Sequence, residues 1–297
     1  MAPGGYVWWY VDALSDDGRQ GITLIAFLGS VFSPYYAWAR RRGSAADPLR
    51  FCALNVSIYG TRSRWSMTEH SQVLRDSDML AIGRSLIQWQ DDQLIFEVDE
   101  FATPLPRRIR GQIRVHPAAL TGHTVGLDAA GLHRWRPIAP RAWVEVSLEQ
   151  PALRWSGVGY LDSNDGDGPL EDSFARWDWA RAPLTDSTGI VYDVTDRHGA
   201  DRALALSVGR DGAVAEQALP PRVALPHTRW RLPRFTRAES ASLTRTVQDS
   251  PFYARSVVQT HLFGESSQAM HESLDLDRFS APWTQAMLPF RIPRALS

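Results

Sequence analysis

The stretch Tyr6–Phe27, YVWWYVDALSDDGRQGITLIAF, places two apolar segments on either side of a polar turn. The two segments, Tyr6–Ala13 and Gly21–Phe27, are rich in aromatic and β-branched side chains, which favour strands. The turn, SDDGRQG, contains an Asp-Gly pair, and glycine supplies the positive φ that a tight hairpin needs. The stretch therefore predicts a β-hairpin.

The same pattern recurs along the chain at intervals of roughly 8 to 12 residues. The segments RDGAV and TDRHGADR have the composition of further hairpin tips. We expect short helical turns at Ala45–Leu49 and Leu274–Phe279, and few longer helices. The sequence thus predicts an all-β fold. The other predicted strands are Cys52–Tyr59, Leu94–Val98, Ile109–Val115, Trp143–Leu148, Gly189–Thr195, Ala203–Val208 and Ser256–Leu262.

The composition is that of a globular protein with many tryptophans. Hydrophobic residues make up 44% and charged residues 22% of 297 residues, and there are 12 Trp beside 11 Phe and 8 Tyr. Tryptophan buries a large flat surface, so this excess indicates thick sheet packing or a pocket with aromatic walls. The length allows one large domain or two of ordinary size, and an acidic stretch near residue 165 is the best candidate for a boundary.

Charge and cysteine content exclude several classes of function. The formal net charge is −1, which gives no electrostatic basis for binding nucleic acid. Cys52 is the one cysteine, so a disulfide framework and a thiolate metal cage are both excluded.

The N-terminal segment lacks the basic and apolar regions of a signal peptide. The longest apolar run, Ile22–Phe32, has about half of the roughly 20 residues needed to span a bilayer. We therefore expect a cytoplasmic protein without an integral membrane span, and contact with a membrane surface stays open.

The acidic stretch Gly157–Arg181, GVGYLDSNDGDGPLEDSFARWDWAR, poses the main functional question. A calcium loop fits poorly, because an EF-hand counted from Asp162 would have Gly166 at its fifth position and Ser173 at its twelfth. Asn, Asp and Gly favour turns, so SNDGDG is predicted to be a turn after the strand that carries GYLD. Four carboxylates that follow GYLD in the acidic stretch are expected to lie in water: Asp165, Asp167, Glu171 and Asp172.

Asp162 differs from the other four carboxylates. The alternation Val158, Tyr160, Asp162 puts Asp162 and Tyr160 on one face of a strand, with Leu161 on the other. An aspartate that shares a strand face with a tyrosine is better placed for a pocket than for a turn. Asp162 is therefore a candidate catalytic residue, although the pattern alone also fits a structural role.

Other motifs are weak. The chain contains no GxSxG elbow, no Gly-rich phosphate loop and no HExxH, and GVGYLD stops at the second glycine of a dinucleotide fingerprint. We expect neither a cofactor nor a metal. His133, in LHRWRP, shares a face with Trp135 if that segment is extended; a packed, hydrogen-bonded histidine is the commoner explanation of such a pattern.

Several longer motifs resemble those of the carotenoid 1,2-hydratases of purple phototrophic bacteria, also called hydroxyneurosporene synthases, within a lipocalin-like superfamily. The motifs are GYVWWYVDALSDDG, FLGSVFSPYYAWARRRG, CALNVSIYG, WSMTEH, LHRWRPIAP, GYLDSNDG, PLEDSFARWDWAR, DSPFYARS and HESLDLDRF. They run from about Gly5 to Pro293, and therefore cover nearly the whole chain.

The resemblance implies two lipocalin-like antiparallel β-barrel domains, which we place at residues 1–168 and 169–297. It also implies an enzyme without a cofactor that adds water to the terminal C1–C2 double bond of an acyclic carotene, such as neurosporene or lycopene. The functional quartet of the family corresponds to His133, Trp135, Tyr160 and Asp162.

The chemistry of this reaction gives each of these residues a predicted role. Asp162 would protonate C2, which requires burial, because an ordinary aspartate with a pKa of about 3.9 is ionised at neutral pH. Trp135 and Tyr160 would stabilise the cation at C1, and His133 would position water or hydrogen-bond Asp162. Four tryptophans are secondary candidates for the substrate pocket, with core packing as the alternative for each: Trp8, Trp9, Trp177 and Trp179.

Two other functions stay open from the residues alone: a lipocalin-like isoprenoid carrier that catalyses nothing, and a polyene cyclase of the same superfamily. Because the implied substrate is lipid-soluble, we also expect peripheral association with the intracytoplasmic membrane. The candidate contact is Val31–Gly43, VFSPYYAWARRRG, whose Tyr35, Tyr36 and Trp38 would touch lipid while the arginines 40–42 meet anionic headgroups. An ordinary loop with a basic tip is the alternative.

Overall fold

The computed structural model describes residues 1–42 and 46–295. They form two compact units. Unit 1 comprises residues 1–125, 132–169 and 286 onward, and unit 2 comprises residues 126–131 and 170–285. The predicted division into independent domains at residues 168 and 169 stays a prediction.

Unit 1 is built on one antiparallel sheet of twelve strands, in the order β4-β3-β2-β1-β12-β11-β9-β8-β7-β6-β5 with β10 beside β11. The sheet curls into a nearly closed barrel, in which β4 contacts β8 and β3 contacts β6. The strands are β1 (Tyr6–Ser15), β2 (Gly21–Leu28), β3 (Cys52–Tyr59), β4 (Arg64–His70), β5 (Val73–Arg75), β6 (Met79–Ile82), β7 (Ser85–Gln90), β8 (Gln93–Phe101), β9 (Arg108–Pro117), β10 (Val125–Gly126), β11 (His133–Gln150) and β12 (Leu153–Gly166).

The barrel core follows from the two-residue period of its strands. In β1, Val11 and Ala13 point inward with Val7 and Trp9, whereas the alternate residues occupy the opposite face. Side chains from β1, β2, β3, β8, β9 and β11 fill one end of the barrel: Val11, Leu24, Val56, Phe96, Ile113 and Val144 are among those buried there. This packing fixes the position of the face that carries Asp162.

Unit 2 contains a seven-stranded antiparallel sheet, β16-β15-β14-β13-β21-β20-β19, and a separate hairpin, β17-β18. A small apolar core that includes Ala182, Val191 and Leu262 packs within it. The strands are β13 (Phe174–Pro183), β14 (Ser187–Asp196), β15 (Asp201–Gly209), β16 (Val214–Glu216), β17 (Arg222–Leu225), β18 (Arg234–Arg237), β19 (Ser240–Asp249), β20 (Tyr253–Leu262) and β21 (Glu265–Asp275).

The all-β prediction is confirmed, because every predicted strand lies within an observed one. The three predicted hairpin tips are turns, and Gly18, Gly199 and Gly212 in them have positive φ, at 67°, 85° and 82°. The predicted turn SNDGDG is wrong in its first four residues: β12 continues through them to Gly166, so Asp162 lies inside a strand. Pairing with strands on both sides of β12 overrides the local preference of Asn, Asp and Gly for turns.

The helices are short: α1 (Pro34–Arg41), α2 (Leu170–Ser173), α3 (Leu276–Ser280) and α4 (Pro282–Arg291), with a 3₁₀ turn at Pro48–Arg50. The predicted turn at Leu274–Phe279 is thus helical from Leu276. The turn predicted at Ala45–Leu49 is the 3₁₀ turn, and Ala45 lies outside the described residues. No helix in residues 1–42 and 46–295 is long and apolar enough to cross a bilayer.

Helix α1 corrects part of the predicted membrane contact. Tyr36 is fully buried, stacks on Phe51 with ring centroids 4.8 Å apart, and donates a hydrogen bond of 2.7 Å to the carbonyl oxygen of Gly5. Arg40 lies over the Tyr36 ring, 4.3 Å from its centroid. Tyr36 is therefore unable to face lipid, whereas Trp38 is exposed; Gly43 lies outside the described residues.

Candidate active site

The predicted quartet lies on two neighbouring strands of unit 1. Tyr160 and Asp162 belong to β12, and His133 and Trp135 belong to β11, whose register pairs Trp135 with Asn164. Because alternate residues share a strand face, Tyr160 and Asp162 point the same way, as do His133 and Trp135. All four side chains are buried on one face of the sheet, so the structure brings the quartet together.

Asp162 is the centre of a hydrogen-bonded group. The indole Nε1–H of Trp135 and the hydroxyl of Tyr160 both donate to Asp162 Oδ2, at 2.8 Å each. Asp162 is 4% exposed, and Trp135 and Tyr160 are fully buried. Burial favours the neutral form of a carboxyl group, whereas hydrogen bonds donated to it favour the ionised form. With Oδ2 accepting both bonds, a proton on this carboxyl group would be carried by Oδ1.

His133 is held by Tyr6 of β1. The Tyr6 hydroxyl lies 2.9 Å from His133 Nδ1, and the two rings are stacked with centroids 5.8 Å apart. Gly166 makes this approach possible, because a Cβ there would lie 2.5 Å from Tyr6 Cε1 and 2.6 Å from His133 Nδ1. A side chain at position 166 would push the two rings apart.

Tyr6, Tyr10 and Asp12 are not among the predicted site residues. Together with Trp8 they occupy the β1 face that is continuous with Asp162, since the register pairs Tyr10 with Asp162. The Tyr10 hydroxyl donates to Asp12 Oδ2 at 2.9 Å, and the Tyr10 and Tyr160 rings meet edge to face at 6.2 Å. The sequence feature that could have indicated these residues is the alternation along β1 of side chains that end in a polar group.

The four predicted tryptophans lie in different parts of the fold. Trp8 shares the Asp162 face and stacks on Tyr6, with ring centroids 5.0 Å apart. Trp9 points to the opposite face, into the barrel, where it lines a cavity of about 670 Å³. Trp177 and Trp179 are buried residues of β13 in unit 2, where Trp177 meets Tyr192 edge to face at 5.5 Å.

Of the four carboxylates predicted to lie in water, Asp165 and Glu171 are less solvated than predicted, whereas Asp167 and Asp172 are exposed. Asp165 is mostly buried and forms ion pairs with Arg134, at 2.6 Å, and with Arg136. Asp167 is more exposed and accepts a hydrogen bond from Arg134 at 2.9 Å. Arg134 lowers the pKa of Asp167 through this hydrogen bond. Asp172 is exposed as predicted, and Glu171 is half-buried.

In the described parts of the chain, no group of three or more His, Cys, Asp or Glu side chains is placed to hold a metal ion. The Asp162 group consists of a buried acid, two hydrogen-bond donors, a histidine and several aromatic rings. Such a group can transfer a proton to an apolar substrate and stabilise a positive charge.

Comparisons with known proteins show the family of the chain. The family described as "Carotenoid hydratase CrtC" matches residues 24–297. The acyclic carotenoid 1,2-hydratase of Thiocapsa roseopersicina is 55% identical, over 99% of this chain and 74% of that protein. The corresponding proteins of Rubrivivax gelatinosus, at 47% over 99% and 74%, and of Cereibacter sphaeroides, at 40% over 91% and 98%, are also similar.

Two solved structures share the fold at low sequence identity. A Nitrosomonas europaea protein described as AttH superposes with a TM-score of 0.62 at 13% identity, over 91% of this chain and 92% of that one. Kievitone hydratase from Nectria haematococca superposes with a TM-score of 0.55 at 10% identity, over 92% and 90%. From the family match and the near full-length relatives, we conclude that the chain belongs to the carotenoid hydratase family.

Proposed function

We propose that the protein is an acyclic carotenoid 1,2-hydratase, a hydro-lyase that adds water to the terminal C1–C2 double bond of a carotene such as neurosporene or lycopene. The observation that carries the proposal is the buried Asp162 with its two hydrogen-bond donors, in a chain that is 55% identical to a protein of that name. The reaction needs a strong acid placed in apolar surroundings, and this group supplies one.

In the proposed first step, Asp162 acts as general acid. Trp135 and Tyr160 fix its Oδ2 as an acceptor, so the proton is on Oδ1 and is transferred to C2 of the alkene. The π electrons of the double bond form the new C2–H bond, and the positive charge falls on tertiary C1. Positioned proton transfer of this kind contributes typically 10²- to 10⁴-fold to a rate.

Aromatic faces stabilise the cation in the second step. Trp135, Tyr160 and Trp8 share the face of Asp162 and are the proposed cation-stabilising residues, each contributing on the order of 2 kcal/mol when desolvated. The predicted substrate-pocket role of Trp177 and Trp179 stays a prediction. Trp9 is not proposed for this role, because it points to the opposite face of β1.

Water capture completes the reaction. A water molecule attacks C1, and the resulting oxonium returns one proton to the Asp162 carboxylate, which restores the acid. His133 is proposed to orient this water, with Tyr6 holding its ring through the 2.9 Å contact at Nδ1. The atoms balance without an added oxidant, reductant or cofactor.

Isotope labelling tests the proposed reaction. The purified protein is incubated with lycopene in detergent, once in H₂¹⁸O and once in D₂O, without any cofactor. We expect a product with ¹⁸O in the C1 hydroxyl group and one deuterium at C2. An unaltered carotene would indicate a carrier, and a cyclised product without ¹⁸O would indicate a cyclase; either result would refute the proposal.

We further propose that the protein binds peripherally to a membrane through helix α4. Met287 and Phe290 lie on one side of this helix and are both exposed, Phe290 at 83%. Exposed aromatic and apolar side chains on one helix face are typical of contact with the lipid interface. The exposed Trp38 of α1, with the arginines that follow it, is a second candidate contact.

Liposome flotation distinguishes these contacts. We expect Met287→Ser with Phe290→Ser to weaken flotation on anionic vesicles, whereas Leu74→Ser, at an exposed leucine of β5, leaves it unchanged. Replacing the arginines 40–42 by serine tests α1 in the same assay. Unchanged flotation of both variants, or no flotation of the parent, would exclude this mode of association.

A further inference from the structure

The barrel of unit 1 is filled at one end and empty at the other. Its cavity of about 670 Å³ lies at the end where β1 begins and β12 finishes, and the apolar core closes the opposite end. The cavity walls are apolar and include Trp9, Ala26, Leu80, Ile87, Ile138 and Leu161. A volume of this size is within the range of roughly 300 to 1,000 Å³ typical of small-molecule sites.

The cavity lies on the opposite face of the sheet from the Asp162 side chain, and Tyr6, which holds His133, borders both. On β12, Leu161 lines the cavity while the side chains of Tyr160 and Asp162 form the group on the other face. On β11, the cavity is lined by Arg134, Arg136 and Ile138, whereas Trp135 donates a hydrogen bond to Asp162 on the other face. A molecule in the barrel is therefore divided from the acid by the thickness of the sheet.

The mouth of the cavity is ionic but balanced. Three arginines and four aspartates line it: Arg75, Arg134, Arg136, Asp76, Asp78, Asp165 and Asp167. Arg134 donates hydrogen bonds to both Asp165 and Asp167, and Arg136 forms an ion pair with Asp165. Because these charges largely neutralise one another, the mouth offers hydrogen bonds to a polar group without favouring a charged one.

We propose that the barrel cavity is a second ligand site, which binds an isoprenoid-type hydrocarbon chain with an uncharged polar end. The chain would lie against Trp9, Ile138 and Leu161, and the polar end would lie at the Arg134–Asp165 rim. A chain bound there would lie on the opposite face of the sheet from Asp162, with Tyr6 as the residue that borders both sites.

Retinol, a fluorescent C20 isoprenoid alcohol, is a suitable probe. We expect its fluorescence to rise on titration with the full-length protein, and we expect retinoic acid, with the same chain and a carboxylate end, to compete at least about tenfold more weakly. Competition by the acid that equals that of the alcohol would contradict the proposed preference for an uncharged end.

Two cavity-filling variants and one matched control locate the site. Ala26→Phe on β2 and Ile138→Trp on β11 each fill the cavity from a different strand, and each is expected to weaken retinol binding at least about tenfold. Asp162→Asn, on the opposite face, is expected to bind retinol within about twofold of the parent. Near-ultraviolet circular dichroism verifies the fold of each variant, and two filling positions guard against one variant failing to fold.

The possible outcomes distinguish the proposed barrel site from the proposed hydration reaction. Unchanged retinol affinity in the folded filling variants, or no binding to the parent, would overturn the barrel site and leave the hydration reaction untouched. Loss of retinol binding in Asp162→Asn would mean a single shared site and would also overturn the proposal.

Discussion

Asp162 is buried by its neighbours and accepts hydrogen bonds from two of them. Trp135 and Tyr160 donate to the same oxygen, Oδ2, so the carboxyl group has a fixed orientation before any substrate arrives. Asp162 is the proposed general acid, and two donors on one of its oxygens suit the delivery of a proton from the other. Trp135 has two proposed functions: it donates a hydrogen bond to Asp162, and it provides an aromatic face for the cation.

Substitution of Trp135 separates these two functions. Trp135→Phe and Trp135→Ala both remove the Nε1–H donor, but only phenylalanine keeps an aromatic face. If the face stabilises the cation by about 2 kcal/mol, the kcat of the phenylalanine variant should exceed that of the alanine variant by roughly 30-fold. Single-turnover hydration of lycopene, measured on protein shown to be folded, gives the ratio; equal rates would contradict the role of the aromatic face.

The site could be predicted only partly at the residue scale. The alternation Tyr160, Leu161, Asp162 predicts which side chains share a face, and the structure places them so. The pairing of His133 with Tyr6 brings together residues 127 positions apart, which no local pattern reveals. Asp165 was predicted to lie in water because its sequence neighbours are turn residues, whereas its actual partners, Arg134 and Arg136, come from β11.

Strand β12 is the element on which the site depends. It pairs with β1 along one edge and with β11 along the other, and these three strands carry the entire Asp162 group. Gly157 allows the close approach of β1, because a Cβ at this position would overlap the carbonyl oxygen of Leu14. That oxygen belongs to backbone held in the sheet, so it has little freedom to move away.

A methyl group at Gly157 should therefore destabilise the sheet. We expect Gly157→Ala to lower the free energy of unfolding by roughly 1 to 3 kcal/mol. Gly168→Ala is the matched control, because a Cβ there meets no atom within 4 Å; it should stay within about 0.5 kcal/mol of the parent. Urea unfolding measures both, and equal stabilities of the two variants would refute the steric argument.

Strand β12 also shows which feature of the elements could not be predicted from the sequence, namely where a strand ends. Alternating and aromatic-rich segments predict the strands of both units, because side-chain packing on a pleated surface is a local property. The end of β12 depends instead on its pairing partners: Ser163, Asn164 and Asp165 continue the strand since β1 and β11 pair with each of them. Strand limits set by distant partners are not encoded in the turn residues themselves.

At the scale of the whole molecule, distant parts of the chain are joined within unit 1. The residues after α4 return to β4, where Arg294 Nη1 lies 2.8 Å from Glu69 Oε1 and the backbone forms a bridge between the same two residues. Glu69 is fully buried, and this burial raises its pKa to about 7 despite the opposing effect of Arg294. The segment after α4 is thus held by an ion pair whose carboxyl group, that of Glu69, has a pKa of about 7.

Removal of Arg294 should destabilise the protein in a pH-dependent way. A carboxyl group whose pKa is raised on folding stabilises the fold fully at low pH, and this stability is lost as pH rises through the folded pKa. We expect Arg294→Gln to lose roughly 1 to 3 kcal/mol at pH 8.5, where Glu69 is charged, and clearly less at pH 5.5.

The Glu69→Gln background is the control for this prediction. Glutamine does not titrate, so Arg294→Gln should then lose the same free energy at both pH values. Urea unfolding of the four proteins gives the comparison. A loss in the parent background that is as large at pH 5.5 as at pH 8.5 would rule out the ion pair as the cause.

The sheet of unit 1 also presents two chemically different faces from the same strands. One face carries the acid, its donors and the aromatic rings, and the other lines the apolar barrel cavity. Two-residue periodicity alone produces this division. Retinol binding and hydration should accordingly respond to substitutions on opposite faces.

The rate of hydration by Asp162→Asn tests the central claim most directly. Asparagine keeps the shape and can accept the hydrogen bonds of Trp135 and Tyr160 but has no acidic proton to transfer. With lycopene as substrate, we predict a rate at least about a hundredfold below that of the parent, while Asp165→Asn on the same strand stays within about threefold. A rate for Asp162→Asn within about threefold of the parent would contradict the assignment of Asp162 as the acid.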